Sequence, residues 1–177
     1  MDTFISMLRG INVSGKNTIR MEELRELYET LGFKKVQTYV QSGNVIFESS
    51  DANPSELATK IEKKIRQKFT FDVPVFIRTK SVFEKLIKNS PFNGKDPTRL
   101  HVTFLSDKPT KPPIEEISAA KAENEELSII GKEIYLFCPN GYGNTKLSNS
   151  FFERKLKVRA TTRNWKTVNT LFSLAQK

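Results

Sequence analysis

The first half of the chain alternates between short apolar runs and longer stretches in which apolar residues recur at helical spacing. The short patterns have the length of strands and cover residues 3–8, 35–41, 45–47 and 73–77. The helical patterns run from Met21 to Leu31 and from Leu57 to Phe69. In chain order, these patterns predict the element sequence β-α-β-β-α-β within residues 1–79.

Turn and cap signals mark where these elements begin and end. Asn53 precedes Pro54 at the start of the second helical pattern, where Asn is a favoured cap and Pro fits the first helical position. Gly32 follows the first helical pattern and suits the left-handed residue that ends many helices. The alternation over residues 35–41 carries the second strand past Val40.

The second half repeats this order with one addition. Residues 81–89 form a short amphipathic pattern, and the strand patterns that follow cover 100–105, 127–130, 134–137 and 158–161. Two helices are predicted between them, one over residues 114–122 and one capped by Ser148 or Asn149. A last helix, capped by Thr161 or Thr162, carries Trp165 on an apolar stripe that we expect to be buried.

The fold class predicted by these patterns is α+β, with two ferredoxin-like α/β plaits (βαββαβ) of which the second is modified by an extra C-terminal helix. We expect the first plait over residues 1–79 and a helical bridge and turn over 80–98. The second plait with its C-terminal helix is expected over 99–177.

Composition excludes several classes of protein. No apolar run approaches the roughly 20 residues of a membrane span, and the first residues lack the basic and apolar segments of a secretory signal. The single Cys138 excludes an intramolecular disulfide, and one Cys with one His leaves little material for a metal site. We therefore expect a cytoplasmic protein, monomeric, with no membrane partner, no metal and no cofactor.

The positive charge is concentrated near the end of the chain. The net charge is +9, yet residues 142–177 alone hold eight Lys and Arg against one acidic residue. Such asymmetry points to an anionic partner, although charged faces also serve only to keep a protein in solution.

Four polar segments could hold that partner. The Gly- and Asn-rich loop 9–17 and the turn 41–44 lie in the first half, and the loop 140–149 and the segment 160–165 in the second. Each has a second interpretation, in which its glycines and asparagines only satisfy turn geometry or cap a helix. The candidate ligand-binding residues are Arg9, Asn12, Lys16, Gln41, Asn44, Tyr142, Lys146, Arg163 and Asn164.

The sequence reveals no catalytic constellation, so it leaves open whether the protein is an enzyme. His101 lies within a predicted strand, and Cys138 at the end of another, with no nearby residues that activate a nucleophile. Our leading hypothesis is a binding module for an anionic ligand such as nucleic acid or a nucleotide, acting through the basic C-terminal region. The alternative is an enzyme that acts on a phosphorylated or carboxylated small molecule in a cleft between the two plaits.

The four polar segments also carry a resemblance. The stretches 8–17, 39–47, 140–149 and 160–168 resemble the bacterial domain-of-unknown-function sixteen-ninety-seven family, and the match runs from residue 4 to about residue 172. The resemblance implies a cytosolic protein with two α/β-plait subdomains. No activity is established for that family, so it implies no catalytic residues.

Overall fold

The first half of the chain folds as a four-stranded antiparallel sheet with two helices. The computed structural model describes all residues from 1 to 177. The elements in chain order are β1 (Asp2–Leu8), α1 (Met21–Thr30), β2 (Lys34–Tyr39), β3 (Asn44–Ser49), α2 (Pro54–Phe69) and β4 (Val75–Thr79). The strands are ordered β2-β3-β1-β4, which is the ferredoxin-like arrangement.

The core of this half lies between the sheet and the two helices. The aromatic rings of Phe33 and Phe47 stack at 4.5 Å, and Tyr28 meets Phe47 edge to face at 5.4 Å. The Tyr28 hydroxyl is fully buried and lies 2.7 Å from the hydroxyl of Ser6 on β1. This hydrogen bond satisfies the one polar group that α1 brings into the core.

The predicted helix boundaries of this half are confirmed by the backbone. The Asn53 side chain accepts hydrogen bonds from the backbone N–H groups of Ser55 and Glu56 at the start of α2. Gly32, at φ +87°, ends α1 with its N–H donating to the Glu29 carbonyl. The second strand is shorter than predicted: Val40 has φ +52°, which is left-handed, so β2 ends at Tyr39 and Val40 belongs to the turn.

The second half repeats the same topology. Its elements are α3 (Lys80–Lys88), β5 (Leu100–Leu105), α4 (Ile114–Ala120), β6 (Glu126–Ile130), β7 (Glu133–Phe137), α5 (Asn149–Leu156), β8 (Ala160–Asn164) and α6 (Trp165–Ala175). The strand order β6-β7-β5-β8 is antiparallel throughout and equivalent to that of the first sheet. The predicted fold class, two ferredoxin-like plaits with an extra C-terminal helix, is confirmed.

The fourth strand and the last helix differ from prediction at their boundaries. The strand lies at Ala160–Asn164 rather than 158–161, because it pairs with β5 through Thr162 opposite Thr103. Thr161 and Thr162 are therefore strand residues and do not cap α6. The cap is Asn164, whose side-chain oxygen accepts the Thr167 N–H at 2.8 Å.

Trp165 also departs from prediction, because it is half-buried rather than part of the core. As the first residue of α6, it lies at the end of the apolar stripe. The fully buried positions of that stripe are Val168 and Leu171, one and two turns further along the helix.

Residue contacts divide the chain into two compact units. Unit 1 comprises Met1–Leu86 with Thr170–Lys177, and unit 2 comprises Ile87–Asn169. Unit 2 has its own core, in which α4 and α5 pack against the sheet through Ile117, Phe152 and Leu136. None of the helices has both the length and the apolar character needed to cross a bilayer.

Candidate functional site

The nine candidate residues fall into two sets, one in each unit. Arg9, Asn12, Lys16, Gln41 and Asn44 belong to unit 1, and Tyr142, Lys146, Arg163 and Asn164 belong to unit 2. Each set is described within its own unit.

In unit 1, the loop 9–17 and the turn 40–44 lie against each other. The Asn12 side-chain amide donates to the Gln41 carbonyl at 2.7 Å, and the Leu8 N–H donates to the Gly43 carbonyl at 2.8 Å. Gly43 has φ +88°, and a Cβ built there would lie 2.7 Å from Ile11 Cδ1. Only glycine fits this contact, so the two sequence motifs form one structural cluster.

The asparagines of this cluster support its backbone. Asn12 both donates to the Ile19 carbonyl at 3.0 Å and accepts the Ile19 N–H at 2.9 Å. The buried Asn44 donates to the Tyr39 carbonyl at 2.9 Å. Arg9 is half-buried, while Lys16 and Gln41 are exposed. The amides thus act within the fold, and the side chains that face solvent are those of Lys16 and Gln41.

The loop 9–17 closes on itself. The Asn12 N–H donates to the Asn17 carbonyl at 3.1 Å, and the Lys16 N–H donates to the Val13 carbonyl at 2.9 Å. Gly10 and Gly15 have φ +75° and +72°. These bonds support the interpretation in which the motif satisfies turn geometry, because two of the N–H groups that could hold an anion are already used.

In unit 2, Tyr142 has one ring face covered. It stacks on His101 with the ring centroids 4.7 Å apart and the planes inclined by 22°. The turn that carries it is fixed by the Asn144 side chain, which donates to the Asn140 carbonyl at 2.8 Å. Tyr142 and His101 are both half-buried, so stacking of a ligand on Tyr142 is restricted to the part of the ring that His101 leaves accessible.

Arg163 and Asn164 are held by their own elements. The Arg163 side chain is 8% exposed, and its Nη1 donates to the Thr161 hydroxyl and the Thr162 carbonyl, both at 3.0 Å. Burial lowers the pKa of Arg163 to about 10, so the guanidinium stays charged at neutral pH. Asn164 is the cap of α6. Both side chains therefore have structural contacts.

Lys146 differs from these residues, because it is exposed and lies on the rim of a groove. The groove has a volume of about 580 Å³ and lies between α4 and α5 of unit 2. Its lining residues, here called the basic groove, are Glu116, Ala119, Ala120, Lys146, Ser148, Phe151, Arg154 and Lys155.

The sequence of α5 explains how the groove is built. Ser148 caps the helix by accepting the Phe151 N–H at 3.2 Å. Residues three and four apart share a helix face, so Phe151 is followed on the same side by Arg154 and Lys155. The Arg154 guanidinium lies 5.9 Å from the centre of the Phe151 ring, within range of a cation–π contact.

One carboxylate interrupts the positive charge of the groove. Lys155 Nζ lies 2.7 Å from Glu116 Oε2, and the ion pair joins α5 to α4. The hydrogen bond and the charge of Lys155 lower the pKa of Glu116 below its ordinary value. Glu116 is thus a charged, engaged carboxylate at neutral pH, which makes it a poor general base.

A second depression of about 560 Å³ shares Lys155 with the basic groove. We call it the second basin. It is lined by Asp107, Lys108, Thr110, Lys111, Pro113, Lys155, Leu156, Lys157 and Val158. Together the two depressions hold six Lys and Arg against Asp107 and Glu116. All of these residues belong to unit 2.

Sequence reasoning named Lys146 as a candidate but missed the rest of this surface. Arg154 and Lys155 belong to the basic segment 142–177. A helix that starts after a Ser148 cap places them on the same side as Phe151, so the sequence contains a signal for these two residues. The sequence contains no pattern that links Lys108 and Lys111 to α5. They are distant from α5 along the chain, and only the folded structure brings them near it.

The metal-ligating side chains are dispersed, and the one cysteine is buried. No group of three or more His, Cys, Asp or Glu side chains lies close enough together to hold a metal ion. Cys138 is buried, which raises the pKa of its thiol to about 11, so the nucleophilic thiolate is scarce at neutral pH.

Comparison with known proteins gives one family and one fold. A family model described as "Protein of unknown function (DUF1697)" matches residues 1–135. A solved structure of a conserved bacterial protein from Streptococcus pneumoniae is similar at 26% sequence identity, with 98% of each chain covered and a TM-score of 0.74. No curated protein matches the chain.

Proposed function

Because the chain belongs to the DUF1697 family, whose function is not established, we propose a function from the residues of unit 2. The protein binds an anionic ligand, a nucleotide or nucleic acid, in the basic groove. The observation that carries the proposal is the placement of Lys146, Arg154 and Lys155 around one concavity. Its size, about 580 Å³, lies within the range of small-molecule sites.

The floor of the groove supports a ligand with a flat apolar part as well as a negative charge. Ala119 and Ala120 have small side chains, and Phe151 lies beneath the Arg154 guanidinium. Arginine planes stack on nucleobases, and the exposed Arg154 guanidinium offers such a plane above the buried Phe151 ring, while the Lys146 ammonium suits a phosphate as a point charge. A nucleotide offers both features in one molecule.

The charge balance of the basic groove supports an anionic rather than a neutral ligand. Glu116 already forms an ion pair with Lys155, so Lys146 and Arg154 supply charge that this carboxylate does not neutralise. A bound phosphate would accept a charge-assisted hydrogen bond from Lys146, and the Arg154 charge adds to the attraction.

The residues of the basic groove favour binding over catalysis. A reaction on a phosphorylated or carboxylated substrate needs a group that transfers a proton, and the carboxylate of the groove, Glu116, is held ionised by Lys155. Binding without chemistry is therefore the function that the groove favours.

The test is a fluorescence anisotropy titration with a labelled nucleoside monophosphate at low salt. We expect saturable binding that weakens by at least about tenfold in the double variant Lys146→Gln/Arg154→Gln, because losing even one charge-assisted hydrogen bond costs about 1.5–3 kcal/mol. The matched control is Lys63→Gln/Lys68→Gln on α2 of unit 1, which removes the same charge elsewhere.

Two results would contradict the proposal. One is the absence of binding by the wild-type protein at low salt. The other is an equal loss of affinity in both double variants, because that would assign the binding to net charge rather than to the groove.

A further inference from the structure

The basic groove does not end at Lys155. The same side chain lines the second basin, so the two depressions adjoin at one residue. Each has the volume of a site for one small ligand, about 580 Å³ and 560 Å³. A mononucleotide bound in the groove would leave the second basin unfilled.

The two depressions differ in chemistry. The basic groove contains the exposed guanidinium of Arg154, which lies over the buried ring of Phe151. The second basin has no aromatic residue, and its cations are four lysines: Lys108, Lys111, Lys155 and Lys157. The first suits a base with its phosphate, and the second suits phosphates alone, since lysine ammonium groups act as point charges that do not select a planar partner.

We propose that this surface binds single-stranded nucleic acid, with one base in the basic groove and the following phosphates along the second basin. The proposal rests on the proposed function and names its ligand class. A stacking plane beside a cationic track is the combination used by proteins that bind single strands without reading their sequence, and here the exposed Arg154 guanidinium supplies the plane.

Duplex nucleic acid fits this arrangement less well. The small side chains of Ala119 and Ala120 and the Arg154 side chain line a concavity, and a base that has left its stack can lay its face on the Arg154 guanidinium there. A single strand presents such a base without the cost of unpairing. A plain polyanion such as inorganic polyphosphate would use the lysines but not the groove.

The backbone at Lys157 offers a variant that should not disturb folding. Lys157 ends α5 in the left-handed conformation, with φ +58°, and its N–H donates to the Glu153 carbonyl. Asn tolerates this conformation better than Lys. Lys157→Asn with Lys108→Gln therefore removes two cations from the second basin while leaving the basic groove unchanged.

The experiment measures anisotropy of labelled single-stranded oligonucleotides of one, four and ten residues, with a duplex decamer and inorganic polyphosphate as competitors. We expect the decanucleotide to bind at least tenfold more tightly than the mononucleotide. The Lys108→Gln/Lys157→Asn variant should lose about tenfold for the decanucleotide and remain within about twofold for the mononucleotide.

Each other outcome has a definite meaning. Mononucleotide binding with no gain from length, or no effect of Lys108→Gln/Lys157→Asn on the decanucleotide, overturns this inference and leaves the proposed function standing. Duplex or polyphosphate that competes better than the single strand also overturns it. Failure of every probe to bind overturns the proposed function as well.

Discussion

At the scale of single residues, Gly43 holds the two loops of unit 1 together. Its carbonyl accepts the Leu8 N–H, and its α-carbon approaches Ile11 so closely that a methyl group would lie 2.7 Å from Ile11 Cδ1 and 3.0 Å from Leu8 Cβ. Gly15, in the loop 9–17, is also left-handed, but a Cβ there meets nothing within 4 Å. Comparing alanine substitutions at Gly43 and Gly15 therefore separates the cost of the steric clash from the cost of the left-handed backbone conformation.

We expect Gly15→Ala to cost about 1–2 kcal/mol of unfolding free energy, because a left-handed conformation strains any residue with a Cβ. Gly43→Ala should cost about 1–3 kcal/mol more than that, because Ile11 and Leu8 must move. Denaturant unfolding of both variants measures the difference. Equal losses would show that the close contact at Gly43 carries no energy.

His101 is the single histidine of the chain, and burial lowers its pKa below the ordinary value near 6.5. Its Nδ1 is buried with no hydrogen-bond partner, and its ring stacks on Tyr142. The unfolded chain therefore takes up a proton near pH 6.5 that the folded protein takes up only at lower pH. The contribution of His101 to the free energy of unfolding is therefore complete above about pH 6.5. It is lost as the pH falls from there toward the pKa of His101 in the folded protein.

The expected consequence is a difference between the wild type and His101→Phe, which keeps an aromatic ring beside Tyr142. The wild-type melting temperature should fall more between about pH 7.5 and pH 5.5 than that of the variant. A proton NMR titration of the one imidazole should give a pKa below that of a free histidine. An ordinary or raised value would contradict the assigned effect of burial.

At the scale of elements, two caps decide where helices begin in unit 2. Ser148 sets the start of α5 and so the phase that brings Phe151, Arg154 and Lys155 to the basic groove. Asn164 sets the start of α6 directly after β8. The chain turns from strand to helix with no intervening loop, since β8 ends at Asn164 and α6 begins at Trp165.

Asn164→Ala tests whether this residue acts as a cap. We expect a loss of about 1 kcal/mol in unfolding free energy, recovered by Asn164→Ser, which caps equally well. Nucleotide affinity should be unchanged in both variants at temperatures where they are folded. A variant of normal stability with weakened binding would instead return Asn164 to the set of ligand contacts.

Local patterns predicted most of the elements, and the errors have a common cause. Periodicity and caps are local, so α2 was predicted from Asn53 and Pro54, and the β6–β7 hairpin from its apolar runs. The start of α6 depends instead on the pairing of β8 with β5. That pairing places Thr161 and Thr162 in a strand, opposite residues of β5 that are distant in sequence. Tertiary pairing overrode a plausible local cap.

The candidate site follows the same division. Lys146 was found because glycine, asparagine and lysine cluster locally in the loop 140–149. Lys108 and Lys111 belong to the same surface only because the end of α5 packs beside the connector that precedes α4. A single sequence records the composition of such a surface but not which distant residues meet in it.

At the scale of the whole molecule, the positive charge is better described by its location than by its total. The net charge is +9, and the basic groove with the second basin accounts for six Lys and Arg and two carboxylates in unit 2. In unit 1, the helix α1 is rich in glutamate and α2 in lysine. The two depressions adjoin at Lys155 and form the cationic surface on which the proposed binding rests.

Salt dependence of binding tests this claim most directly. A decanucleotide titrated at several salt concentrations between about 50 and 200 mM should bind the wild type with an affinity that falls linearly on logarithmic axes. The slope should be smaller by at least about 0.7 in Lys146→Gln/Arg154→Gln, since Lys146 contacts a phosphate and each such contact on a single strand contributes about 0.7. An identical slope and affinity in wild type and variant would contradict the assignment of binding to the basic groove.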